Sequence, residues 1–188
     1  MSRWEPNSRG RLERAALELY RERGFDRTTV AEIAERAGLT ERTFFRHFTD
    51  KREVLFGGQQ LLHRILVDTV AGAPDSVAPF DAVAAAVVAV ATEMENGREY
   101  ARQRREVIAA NPSLRERELI KLAALSSAMA EALRTRGVPD PAASLTAEAG
   151  IAVFKIAFER WQDGPRELTF ADHIRDGLEQ LRTIAAGA

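Results

Sequence analysis

Arg42 and Arg46 stand four residues apart, and Thr43, Phe45 and His47 share the same stretch. A spacing of four stacks two side chains on one face of a helix. An arginine can pair bidentately with the major-groove edge of guanine, so these two are the candidate base readers. Nothing else in the chain offers competing chemistry. There is no cysteine, hence no thiolate nucleophile and no cysteine-based zinc site. His47, His63 and His173 lie far apart without paired ligand spacing, so no metal site is expected. Ser126 and Ser127 have no evident base partner, and the glutamates recur at surface helical spacing. No catalytic residue, no cofactor and no enzymatic activity are expected.

The elements that must position the arginines are legible around them. Thr29 and Glu32 have the spacing of a capping box at the start of a helix. Ile33, Ala34 and Ala37 follow at helical spacing, and Gly38 stops that helix, since a residue without Cβ takes the left-handed conformation freely. Leu39 is apolar and should pin the turn. Thr40 caps a second helix from Glu41 to about His47, with Phe44 and Phe48 on its inner face. The outer face carries Arg42, Thr43, Phe45, Arg46 and His47. Helix, glycine turn and a short helix with a polar, basic outer face make a helix-turn-helix, whose second helix enters the DNA major groove.

The stretch TTVAEIAERAGLTERTFFRHFTDK, residues 28–51, resembles the signature of the TetR/AcrR family of transcriptional repressors. The likeness is dense over residues 12–55 and includes Gly24-Phe25, Thr29, Ile33-Ala34, Ala37-Gly38, Thr43, His47-Phe48 and Lys51. By that resemblance Thr28 and Thr29 contact phosphate at a helix N-terminus, where anions are favoured. Thr40, Arg42, Thr43, Phe45, Arg46 and His47 face the groove, and Lys51, opening a fourth helix, clamps a phosphate. Glu41 either accepts from cytosine or simply suits a helix N-terminus. Two residues depart from the pattern. Arg42 stands where glycine is usual, and Phe45 where tyrosine is usual, which exchanges a phosphate-contacting hydroxyl for a possible thymine-methyl contact. Ala31 replaces a polar residue that reads bases in some members.

The remainder reads as all-α, about nine helices in total. Every one of the seven prolines falls at a predicted helix end or outside a helix, and no stretch sustains strand alternation. The first helix runs over 9–23 with Leu12, Ala15, Ala16, Leu19 and Tyr20 inward; Arg3, Arg9 and Arg11 around it either reach DNA or are solvated. The fourth is expected over 50–70 with Gly57-Gly58 inside it, for close packing or for a bend. Asp140-Pro141 is expected to open the eighth. The reading divides the chain at 1–52, a three-helix DNA-binding domain, and 53–188, a larger helical domain for effector binding and dimerisation. Residues 1–52 hold 12 Lys/Arg against 9 Asp/Glu, and the rest 15 against 19, the sign expected if only the first part meets phosphate. No signal peptide is visible, and the Ala82–Ala91 run is about half a membrane span, so a cytoplasmic location is expected.

Ala149–Phe158 is apolar nearly all round, interrupted by Lys155, and suits a helix buried on two sides. Helices eight and nine are therefore the expected homodimer surface. Met94, Tyr100, Met129, Phe154, Phe158 and Trp161 either line a cavity for a small apolar or amphipathic effector or are plain core, and Arg104 and Lys155 either turn inward to meet an anionic ligand or stay solvated. The resemblance implies a repressor released from a palindromic operator when an effector shifts the fourth helix. The alternative is a helical dimeric interaction or carrier module with a residual DNA-binding fold.

Overall fold

The computed structural model describes residues 7–187, which puts Arg3 outside the described residues. Among these residues the fold is all-helical: α1 (Ser8–Arg23), α2 (Val30–Arg36), α3 (Glu41–His47), α4 (Gln59–Ala71), α5 (Pro79–Met94), α6 (Arg98–Ala109), α7 (Pro112–Thr135), α8 (Ala142–Asp163) and α9 (Phe170–Ala186). Two compact units emerge. One holds the chain up to Gly58 together with Tyr100–Glu118; the other holds Gln59–Glu99 and Leu119 onward. The boundary thus falls at Gly58 rather than at residue 52, and a later segment joins the first unit.

The first unit, the head, is built on α1. Leu12, Ala16, Leu19 and Tyr20 bury its inner stripe against Ile33, Phe44, Phe48 and Val54. Val107, Ile108 and Leu114 complete the same core. Arg104 fastens this returning segment: its Nε donates to the Leu55 carbonyl at 2.6 Å, and it pairs with Glu118 at 3.0 Å. Arg117 pairs with Glu53 at 2.7 Å.

The expected fourth helix over 50–70 is interrupted. Asp50 Oδ1 accepts from the Arg52 and Glu53 amides just ahead of a 3₁₀ turn, Glu53–Phe56. The α-helix begins only at Gln59, after the glycine pair. Glu13 lies so close to Gly57 that a Cβ there would sit 1.8 Å from its Oε1. The carboxylate end of Glu13 occupies the space a side chain at Gly57 would need, while Gly58 has open space around it.

In the second unit α5 is an Ala/Val helix with Ala82, Val83, Ala86, Val87, Val90 and Ala91 buried. Small residues let neighbours approach it. At Gly150 of α8 a Cβ would stand 2.4 Å from the Val83 Cγ1. Farther along α8, Phe154, Phe158 and Trp161 meet Phe170 of α9, with Trp161 and Phe170 stacked at 4.9 Å between centroids. Thr169 and Asp172 form a capping box on α9, and Glu95 accepts from the Phe170 amide at 2.7 Å. Asp140 sits just ahead of α8, where its carboxylate accepts from the Ser144 hydroxyl and backbone and pairs with Arg134, and Pro141 occupies the cap position without a side-chain bond.

His173 is buried beside Arg160 and Arg98, and burial first, then those two charges, pushes its pKa below the usual 6.5. The folded chain therefore disfavours the imidazolium. Stability is full above the unfolded imidazole value and declines as pH falls through it toward the depressed folded value. Melting temperature is expected to fall between pH 7.5 and 5.5, with a shallower fall in His173→Gln; an equal slope in both proteins contradicts the assignment. Independently, Gly150→Ala is expected to destabilise by about 1–3 kcal/mol through overpacking against α5, measurable by chemical denaturation.

Candidate nucleic-acid interface

The turn between α2 and α3 is closed by the backbone. The Leu39 amide donates to the Ala34 carbonyl at 2.8 Å, and the Gly38 amide to Glu35 at 2.9 Å. This is a Schellman motif, and Gly38 supplies its left-handed residue at φ +64°. Arg11 donates to the Ala37 carbonyl and ties the turn to α1. The N-terminus of α2 carries the expected capping box: the Thr29 side chain accepts from the Glu32 amide, and Glu32 reaches back to the Thr29 amide at 2.8 Å. On α3, Thr40 accepts from the Thr43 amide at 3.2 Å.

With Phe44 and Phe48 buried, α3 turns Glu41, Arg42, Phe45 and Arg46 to solvent, beside exposed Thr40. Thr43 and His47 are half-buried at the edge of that face. The His47 Nε2 is shielded without a partner among the described residues, and burial, then Arg46 and Arg9, lowers its pKa. Neutral imidazole is the favoured form, so the positive charge of the face comes from the two arginines. Neither Arg42 nor Arg46 has a hydrogen-bond or ion-pair partner among the described residues. Several arginines elsewhere in the head are committed: Arg9 to Glu13, Arg23 to Glu32, Arg36 to Glu22 and Arg52 to Asp50.

Two sequence expectations need correcting here. Thr28 is 1% exposed, and its hydroxyl donates to the Gly24 carbonyl at 2.9 Å, so that hydroxyl serves the fold and not a phosphate. Lys51 opens no α-helix. Its ammonium reaches the carbonyls of Phe25, Thr28 and Asp26 at 2.9, 3.0 and 3.3 Å and lies 4.4 Å from the Phe25 ring centroid. An ammonium has three donors, and three carbonyls take them. Lys51 therefore fixes the 25–28 loop from which α2 starts. Arg9 is likewise structural, pairing with Glu13 and lying over Phe48.

The residues expected to line an effector cavity divide between the two units, with Phe154, Phe158 and Trp161 in ring contact in the second. Tyr100 packs against the head core, and Arg104 is consumed there. Met129 and Trp161 are fully buried in the second unit, and Phe154 is buried. Met94 and Phe158 are half-buried, and Lys155 is exposed, its charge kept in water rather than turned inward. An open cleft of about 570 Å³ lies in the head, lined by Tyr20, Arg21, Phe25, Arg27, Glu106 and Asn111 among others. Sequence reasoning missed the return of Tyr100–Glu118 to the head. The apolar positions Val107, Ile108 and Leu114 were its only local trace.

The geometry is that of a helix-turn-helix protein, and comparison with known proteins places it further. Residues 13–56 match the family described as bacterial regulatory proteins, tetR family, and residues 77–186 match the MftR C-terminal domain. The chain belongs to the TetR family of transcriptional regulators. It is similar to the HTH-type transcriptional regulator TcmR of Streptomyces glaucescens, 34% identical over 90 residues, covering 48% of this chain and 40% of TcmR. The chain spans about half or less of the length of each curated relative it matches. Among solved structures, the repressor FadR of Thermus thermophilus in complex with lauroyl-CoA has a TM-score of 0.56 at 24% identity over 93% of both chains. SmeT, the repressor of the Stenotrophomonas maltophilia multidrug efflux pump SmeDEF, has 0.57 at 24% over 95% of this chain and 89% of its own. These likenesses establish the fold.

If Lys51 positions the loop, Lys51→Met is expected to lower melting temperature and DNA affinity while leaving the slope of log K against log salt unchanged. A slope smaller by about 1 would mean a direct phosphate contact instead.

Proposed function

We propose that the protein is a DNA-binding transcriptional regulator, most simply a repressor, that acts as a homodimer on a palindromic operator in the cytoplasm. The observation that carries this reading is the outward face of α3: two unpartnered arginines held on a short, capped helix whose other face is buried. Arg42 and Arg46 read guanine edges, and Phe45, Thr40, Thr43 and His47 lie along the groove. Glu41 sits in the first turn of α3, where a carboxylate is favoured. The N-terminus of α2, at exposed Thr29, meets phosphate through the helix end as a whole. The head, as the unit up to Gly58 with Tyr100–Glu118, is the DNA-reading part, and the second unit serves dimerisation and effector binding.

The dimer is formed through α8 and α9. Leu145 and Ile156 on α8 are 66% and 59% exposed, and Ile184 on α9 is 73% exposed, so the outward side of these helices stays apolar in a single copy. A second copy would cover it and present two heads for half-sites about 34 Å apart. The effector is a small apolar or amphipathic molecule, in keeping with the lauroyl-CoA bound by Thermus FadR and with a triclosan complex of SmeT. Such a molecule releases DNA only through a higher affinity for the unbound arrangement.

Arg46→Ala is expected to weaken binding to a duplex selected from a random library by about 1–3 kcal/mol and to relax preference at one base pair per half-site. Fluorescence anisotropy against single-substitution duplexes measures both. Retained affinity with unchanged base preference would remove Arg46 from the reading face.

A further inference from the structure

We infer that Phe45 reads the 5-methyl group of a thymine in each operator half-site, an inference that rests on the regulator reading above. Among the described residues, Phe45 is the one large apolar side chain of the head that is exposed; the others so exposed all belong to the second unit. Its position on α3 is three residues after Arg42 and directly before Arg46, within the face that carries both unpartnered guanidinium groups.

The ring meets Phe44 edge-on, with centroids 5.5 Å apart and planes at 81°, and Phe44 is fully buried. An aromatic surface 55% exposed between two charges is a poor solute by itself. It becomes favourable when the docked partner covers it with apolar area. On the major-groove edges of the four base pairs, the apolar group on offer is the thymine methyl. The phenyl ring has no hydroxyl or other polar atom, so it cannot use the donors and acceptors around that methyl. Contact with Phe45 therefore selects the methyl itself, and the two arginines supply the hydrogen bonds to neighbouring positions.

The test compares thymine with deoxyuridine, which differs only in lacking the methyl. Duplexes are first selected from a random library with the full-length protein. Each thymine of the selected site is then replaced by deoxyuridine, symmetrically in both half-sites, and affinity is measured by anisotropy. One position is expected to weaken wild-type binding about fourfold per half-site, or about fifteenfold for the pair, the effect of one lost methyl-sized apolar contact. Phe45→Ala, at an exposed position, should keep the wild-type melting temperature and lose sensitivity to that replacement. If every deoxyuridine duplex binds the wild type within twofold of the thymine duplex, the inference is overturned and the regulator reading stands. A sensitivity that persists undiminished in Phe45→Ala overturns it equally. If no duplex is enriched at all, the inference and the regulator reading both fall.

Discussion

The structure depends on the burial of Phe44 and Phe48 beneath α1. A helix of seven residues, such as α3, is not stable in water by its own hydrogen bonds. It exists because one face of it belongs to a core shared with Leu12, Leu19, Ile33 and Val54. That burial decides the opposite face as well. Once positions 44 and 48 point inward, helical geometry turns 42, 45 and 46 outward together. The reading surface is thus a consequence of packing, and its rigidity comes from the same two rings.

Charge disposition follows a similar division. The head contains many arginines, and most are committed to carboxylates or carbonyls of the head itself. Arg11 holds the turn, Arg104 and Arg117 hold the returning segment, and Lys51 holds the loop ahead of α2. Surface ion pairs of this kind contribute little stability each, but they remove cations from competition for DNA. What remains unpaired on α3 is then a localised pair of charges rather than a diffuse basic coat. This agrees with a chain whose net charge is −1, and with recognition that depends on where cations sit rather than on how many there are.

Most of the head was legible in the sequence because its signals are local. The Thr29–Glu32 box, the Gly38 turn and the Phe44/Phe48 spacing are each contained in a few residues, and each is present in the fold. Lys51 and Thr28 were misread because a side chain's partner depends on tertiary placement. From sequence a lysine near a DNA-binding helix looks like a phosphate contact; in the fold its three donors meet carbonyls 23 to 26 residues earlier. The fourth helix was drawn too long because periodicity continues through Gly57-Gly58 while the backbone does not. The effector residues were the least legible. Aromatic and methionine side chains at helical spacing carry no mark that separates a cavity wall from core, and the burial of Met129 and Trp161 suits both.

The most direct measurement is the sequence pattern retained by the full-length protein from a random duplex library at about 0.1 M salt, where nonspecific phosphate binding is partly suppressed. An inverted repeat is expected, with half-site centres about one helical turn, or a multiple of it, apart and a guanine in each half-site. Enrichment of no motif, or of a motif without twofold symmetry, would contradict it.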